Sequence, residues 1–150
     1  MGPYKVSFDL NTTQEYRVNN ATTKPSETYC GAKYETYTTI LNNSNNFALI
    51  TVAYFADKMN KNDIQYNIED YLRGLNYYNI ETLNRTIDNQ SGVLSVGVDS
   101  NGDCMFAAQY WPTFNTSGDT NVLIESNYPW DNETLSLLKT IRIKLICNTT

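Results

Sequence analysis

The sequence predicts a single α+β domain over residues 1–150, a largely antiparallel β-sheet with two helices packed against it. Three observations carry that expectation. Eight stretches are apolar or alternate with the two-residue period of a strand. Two stretches switch to the helical period. The strands around the middle are joined by turns too short for parallel crossovers. A chain of 150 residues suits one core, since a domain of this size buries about two-thirds of its unfolded surface.

The elements follow in order. "YKVSFDL" sets Tyr4, Val6 and Phe8 against Lys5, Ser7 and Asp9, the pattern of a half-buried strand. A polar stretch from Asn11 to Thr28 reads as connection. "KYETYTTIL" (Lys33 to Leu41) alternates again, and "FALITVAYF" (Phe47 to Phe55) is apolar on both faces, which places it inside a sheet rather than at its rim. In "NKNDIQYNIEDYLRGLN" the period changes: Ile64, Ile68, Tyr71, Leu72 and Leu75 form one apolar stripe, with Asn60 or Asn62 as N-cap. Strand patterns return at "NIETLNRTID", "GVLSVGV", "DCMFAAQYW" and "NVLIES". "WDNETLSLLK" reads as a second helix capped by Asp131, and "TIRIKLI" closes the chain with Ile141, Ile143 and Leu145 facing inward.

The "YKVSFDL" strand, the long central pair, the helix before an extended meander and the late segment "VLIESNYPWDNETLSLLKTIRI" together resemble the PsbP-like family of α/β/α sandwich domains. The likeness is one of pattern over most of the chain and includes no diagnostic motif. It implies an accessory or recognition role rather than catalysis. It transfers no functional residue, because no family site matches a position here.

"GVDSNGDC" packs Asp99 and Asp103 around an Asn-Gly pair, a density of oxygen ligands that a calcium loop would use. The spacing fails: with Asp99 as first ligand, Gly102 falls at the fourth loop position instead of the sixth, and Tyr110 stands where a bidentate Glu belongs. The stretch reads instead as a hairpin with a two-residue type I′ turn at Asn101-Gly102, which opposes Ser100 to Asp103 and Asp99 to Cys104. No metal site is expected.

Histidine is absent, which removes Ser-His-Asp and Cys-His nucleophile arrangements and every histidine metal site. No Gly-rich phosphate loop is present, so no cofactor is expected. The formal charge of −5, with no cluster of Lys and Arg, offers nothing to a nucleic-acid backbone. No apolar run reaches the about 18 residues of a transmembrane helix. Glu69, Asp70, Glu81 and Asp88 could serve a carboxylate-dependent hydrolase of glycans or peptides, although acidic residues on helix faces and strand edges are usually solvated. No catalytic residue is assigned.

The composition is unusual in tyrosine, 12 residues of 150, grouped as Tyr77-Tyr78, Tyr110-Trp111 and Tyr128-Pro129-Trp130. Such residues join a large apolar face to a polar tip and serve recognition surfaces, but they also pack cores and sheet edges. Trp130, after a proline at the start of a helix, is the first candidate for a ligand anchor, with Tyr128 and Trp111 beside it. Eight Asn-x-Ser/Thr triplets occur, where chance pairing of 20 asparagines with 27 serines and threonines gives about four. Asn42, Asn89 and Asn115 fall in expected turns and are the glycosylation candidates, whereas Asn84 falls inside a strand pattern. Cys30, Cys104 and Cys147 allow one disulfide and one free thiol, with three pairings open.

The expected protein is therefore a secreted or cell-surface, non-enzymatic accessory or binding domain whose partner is a protein or a carbohydrate. "MGP" ahead of the first strand places any export signal or anchor outside this chain.

Overall fold

The computed structural model describes residues 2–29, 31–61 and 68–146. Strands β1 (Tyr4–Ser7), β2 (Arg17–Tyr29), β3 (Ala32–Asn42) and β4 (Phe47–Phe55) precede helix α1 (Ile68–Gly74). The meander β5 (Tyr78–Ile87), β6 (Gln90–Val98), β7 (Cys104–Tyr110) and β8 (Asp119–Ser126) follows. A π-turn (Trp130–Thr134) then runs into α2 (Leu135–Thr140), and β9 (Arg142–Leu145) ends the described chain.

Seven strands form one antiparallel sheet in the order β2-β3-β4-β8-β7-β6-β5, and β1 pairs with β9 in a separate two-stranded ribbon. The structure is 53% strand and 13% helix, so the expectation of an α+β sandwich is overturned. The helices span seven and six residues, too short to form layers of their own. The physical cause lies in the polar stretch read as connection, which is the 13-residue strand β2. Its described side chains are exposed throughout, so no apolar alternation marks it, and its ladder is interrupted by irregularities after Asn19 and Lys24.

One face of the sheet carries the main core. Leu41, Ala48, Ile50, Val52, Val122, Ile124, Ala108 and Tyr110 meet Tyr4, Leu137, Ile141 and Ile143 from the ribbon and α2. β4 lies between β3 and β8, and its alternate residues Ala48, Ile50 and Val52 are fully buried. At ~25 cal/mol per Å² of apolar surface removed from water, each such Val or Ile stabilises the fold by roughly 2 kcal/mol. Tyr4 meets Tyr37 edge-on, with centroids 5.7 Å apart. The opposite face is partly covered by α1, whose Ile68 and Leu72 pack on Met105 and Ala107.

Several local expectations change. Leu75 was placed in the apolar stripe of the first helix, but the helix ends at Gly74 and Leu75 is 43% exposed. Ile64 and the N-cap candidate Asn62 lie outside the described residues. Asp131 does not cap the second helix; it lies inside the π-turn, whose start has Pro129 at the cap position with no side-chain cap bond. The turn is held by Thr134, whose hydroxyl donates to the Tyr128 carbonyl oxygen (2.7 Å) and whose amide donates to that of Pro129 (3.0 Å). The Asn-Gly hairpin forms, but with a longer loop: Val98 opposes Cys104 and Gly102 alone in the loop has positive φ, 88°. This is the geometry of a three-residue loop with its last residue left-handed. The Asp99 carboxylate selects it by accepting the amides of Asn101 (2.8 Å) and Asp103 (2.9 Å). In this register Asp99 and Asp103 close the loop as a pair, the Asp99 amide donating to the Asp103 carbonyl oxygen (2.9 Å). Tyr77, its phenol pushed up first by burial, feels the charges of both Asp99 and Asp103.

Candidate functional site

The π-turn brings Trp130 to the core-side face of the sheet, beside the strands of the meander. Its indole stacks on Phe106 of β7, with centroids 5.1 Å apart and planes at 25°. One face of the ring is thereby fixed, and the residue is half-buried. Two hollows adjoin it. The first, about 370 Å³, is lined by Glu81, Leu83, Arg85, Leu94, Val96 and Phe106 as well as Trp130. The second, about 350 Å³, runs from Trp130 past Arg85 and Ile87 to Leu138 and Lys139. Trp130 and Arg85 are common to both.

The register explains why these side chains converge. In the antiparallel ladder Glu81 opposes Val96, Leu83 opposes Leu94, and Val96 opposes Phe106. Paired residues point to the same face, so three strands contribute an apolar floor while Glu81 and Arg85 supply opposite charges along one side. Leu83 remains 51% exposed and adds apolar surface to the lining of the first hollow. A hollow of this size with an aromatic wall and few polar groups is the ordinary form of a binding site.

The other anchor candidates do not join Trp130. Tyr128 is 1% exposed and belongs to the core. Burial pushes its phenol up, with the charges of Tyr16 and Glu133 adding to the effect. Trp130, two residues on, packs against the margin of the same core and stays half-buried. Trp111 follows Tyr110 and turns to the opposite face, where it approaches Phe55 (6.3 Å) and Lys61 Nζ lies 5.8 Å from its ring centroid.

The carboxylates considered for hydrolysis do not gather at the hollow. Glu69 and Asp70 both pair with Arg73. Asp88 accepts the Ile143 amide (2.9 Å) and the Tyr110 hydroxyl (3.3 Å) and faces Arg142 at 3.7 Å. Among the described residues Glu81 is the one acid lining the first hollow.

The sequence reading missed Glu125. It sits on β8, the middle strand of the sheet, at 7% exposure, and accepts a short hydrogen bond from the Tyr71 hydroxyl. Burial pushes its carboxyl above the usual carboxylate range, and the Tyr71 bond opposes part of that shift. Nearby on the same face, Gln109 Nε2 donates to Asn121 Oδ1 at 3.2 Å. The signal was present in "NVLIES": Asn121, Leu123 and Glu125 alternate with Val122, Ile124 and Ser126, which puts an acid on one face of a central strand.

The glycosylation candidates also separate. Asn89 and Asn115 are exposed. Asn42, expected in a turn, ends β3, is half-buried and has a buried Oδ1 without a partner. It lines a hollow of about 540 Å³ with residues from Gln14 to Arg17 and with Asn43 and Ser44. Asn84, by contrast, is exposed on β5. Cys104 is an exposed free thiol, and Cys30 and Cys147 lie outside the described residues. Among the described residues no group of three or more acidic or cysteine side chains could hold a metal ion, and no helix is long and apolar enough to cross a membrane. No family model, curated protein or solved structure matches this chain.

Proposed function

We infer that the protein is a non-enzymatic binding domain acting outside the cell or at its surface, and that it holds a protein or carbohydrate ligand in the hollow beside Trp130. The observation that carries this reading is the wall shared by the two hollows, an indole fixed on Phe106 beside the exposed Leu83. An immobilised aromatic loses little conformational freedom when a ligand docks, which is why such residues dominate binding energies. Glu81 and Arg85 lie within reach of sugar hydroxyls or peptide amides crossing the hollow. The excess of sequons supports the extracellular setting, and the family likeness has no part in the argument.

The pairing of the carboxylates with arginines supports binding over hydrolysis. A glycosidase needs two acids facing one bond, and three of the four candidates are committed to arginines outside the hollow, Glu69 and Asp70 to the same one. The test is a screen of neutral oligosaccharides and blocked amphipathic peptides against the purified protein, with binding and product formation read together. Trp130→Ala is expected to weaken any ligand found by tenfold or more, a hot-spot loss of about 1.4 kcal/mol or greater. Cleavage of a probe, or affinity that survives the substitution, would overturn the assignment.

A further inference from the structure

The sheet ends on β5, and the free side of that strand has a self-complementary pattern. Asp88 and Asn89 both have positive φ, 51° and 58°, and Ile87 pairs with Gln90 across them, which is a two-residue type I′ turn. From that turn the ladder alternates. Arg85, Leu83 and Glu81 direct their backbone N–H and C=O groups toward β6, whereas Thr86, Asn84 and Thr82 direct theirs to the free edge. Pairing with β6 is regular from Glu81 to Ile87. β5 is the last strand in the order, and every residue from Glu81 to Thr86 is exposed. A straight edge of this kind is a template for another strand.

The side chains indicate which strand. Glu81, Leu83 and Arg85 share one face in the order acid, apolar, base. Read backwards, the series becomes base, apolar, acid. Two copies of β5 laid antiparallel about Leu83 therefore place Glu81 of each opposite Arg85 of the other and the two Leu83 side chains against each other. In the same register Thr82 opposes Asn84 of the second copy, and these are the residues whose backbone groups point outward, so the pairs that must exchange hydrogen bonds coincide. Neither Glu81 nor Arg85 has an ion pair among the described residues, so neither gives one up to form the contact.

We propose that the protein forms a two-fold symmetric dimer through the edge of β5, in the register that opposes Glu81 to Arg85 of the second copy. The match is between a strand and its own reverse, which favours a second copy over a foreign strand. The axis runs perpendicular to the sheet, so the two Trp130 hollows lie on the same side of the assembly, flanking the seam. This dimer does not depend on any ligand occupying those hollows. A pairing of so few residues buries less surface than an obligate dimer, and the association is concentration-dependent.

Sedimentation across the micromolar to millimolar range tests it, using protein from a host that does not glycosylate, so that Asn84 is unmodified. A reversible monomer–dimer equilibrium is expected. Glu81→Arg sets like charges opposite each other at two symmetric positions and is expected to weaken the dimer roughly thirtyfold. Arg85→Glu alone should do the same, and the double variant Glu81→Arg/Arg85→Glu should restore association to within a few fold of the parent. Circular dichroism confirms that each variant is folded, and the two single reversals stand in for each other if one is not. A protein that stays monomeric throughout, a dimer indifferent to single reversal, or a double variant that fails to recover would each overturn the proposal.

Discussion

The two faces of the seven-stranded sheet use the same strands for different ends. On one, Ile50, Val52, Val122, Ile124 and Tyr110 make a continuous apolar layer under the β1–β9 ribbon and α2. On the other, Thr38, Thr51, Gln109, Asn121 and Glu125 place hydroxyls, amides and a carboxylate over the central strands, with a small apolar cluster under α1. The first face stabilises the molecule and carries the Trp130 hollow at its margin. The second contains polar groups that folding must desolvate. Each face also holds one of the two tryptophans. The lesson is that burial alone does not define a core, because what decides the energetics is whether the buried atoms need partners.

The largest expected effect comes from neighbouring residues on β4 that point opposite ways. Ile50→Ala removes a fully buried side chain and is expected to cost about 3 kcal/mol, as cavity formation adds to lost burial. Thr51→Ala deletes a hydroxyl hydrogen-bonded to Thr38 at 3.1 Å, at a cost of about 1 kcal/mol or less. Denaturant titrations of both variants check the contrast; equal losses would erase the distinction between the faces.

A pH-dependent effect of intermediate size is expected at Glu125. Its carboxyl in the folded protein holds a proton to higher pH than in the unfolded chain, mainly through burial. The unfolded state therefore ionises first. This imposes no penalty below the ordinary carboxylate range, and a growing one as pH rises from there through the folded value. Glu125→Gln, which can still accept the Tyr71 bond, should raise the melting temperature by a few degrees at pH 7, with the gain vanishing near pH 4. A loss of stability at neutral pH would mean that the charged form is favoured on this face.

Binding on the Trp130 side should lack such a dependence. With no histidine in the chain, no side chain there ordinarily titrates between about pH 5.5 and 7.5, so affinity for a ligand should vary less than twofold over that interval. The smallest effect is on modification. Expressed through a secretory pathway, the protein should bear glycans at Asn89 and Asn115 more fully than at the half-buried Asn42. Peptide mapping with the reverse order would displace the placement of these turns.

How much of this was legible in the sequence follows from which residues face solvent. β3, β4, β6, β7 and β8 fall where apolar patterning placed them, because each has at least one buried face; β5 was found from its alternation although residues 81–86 are all exposed. β2 escaped, since a strand exposed on both sides needs no apolar residue and its Thr- and Asn-rich segment, with Pro25 tolerated at a sheet edge, looks like a loop. Misreading it enlarged the apparent share of helix and produced the wrong fold class. Trp130 could be picked out because Pro129 precedes it at a helix start. Tyr128, two residues earlier, could not be separated from it, because the tertiary packing that buries that ring leaves no mark in the local sequence. The convergence of Glu81, Leu83 and Arg85 with Phe106 depends on the pairing of three strands, which no local pattern encodes. The Asn-Gly hairpin was visible, but its register turned on an aspartate side chain binding two backbone amides, an interaction that turn propensity does not contain.

The most direct test of the account uses the two indoles as reporters of the two faces. With the tryptophans labelled, each side-chain N–H gives its own resonance, assigned by Trp111→Phe and Trp130→Phe. Neutral oligosaccharides and blocked amphipathic peptides are then titrated into the parent protein. The account predicts that a bound probe shifts the Trp130 signal in a saturable way and leaves Trp111 in place. A saturable shift of Trp111 with Trp130 unmoved would put the binding site on the polar face and contradict it.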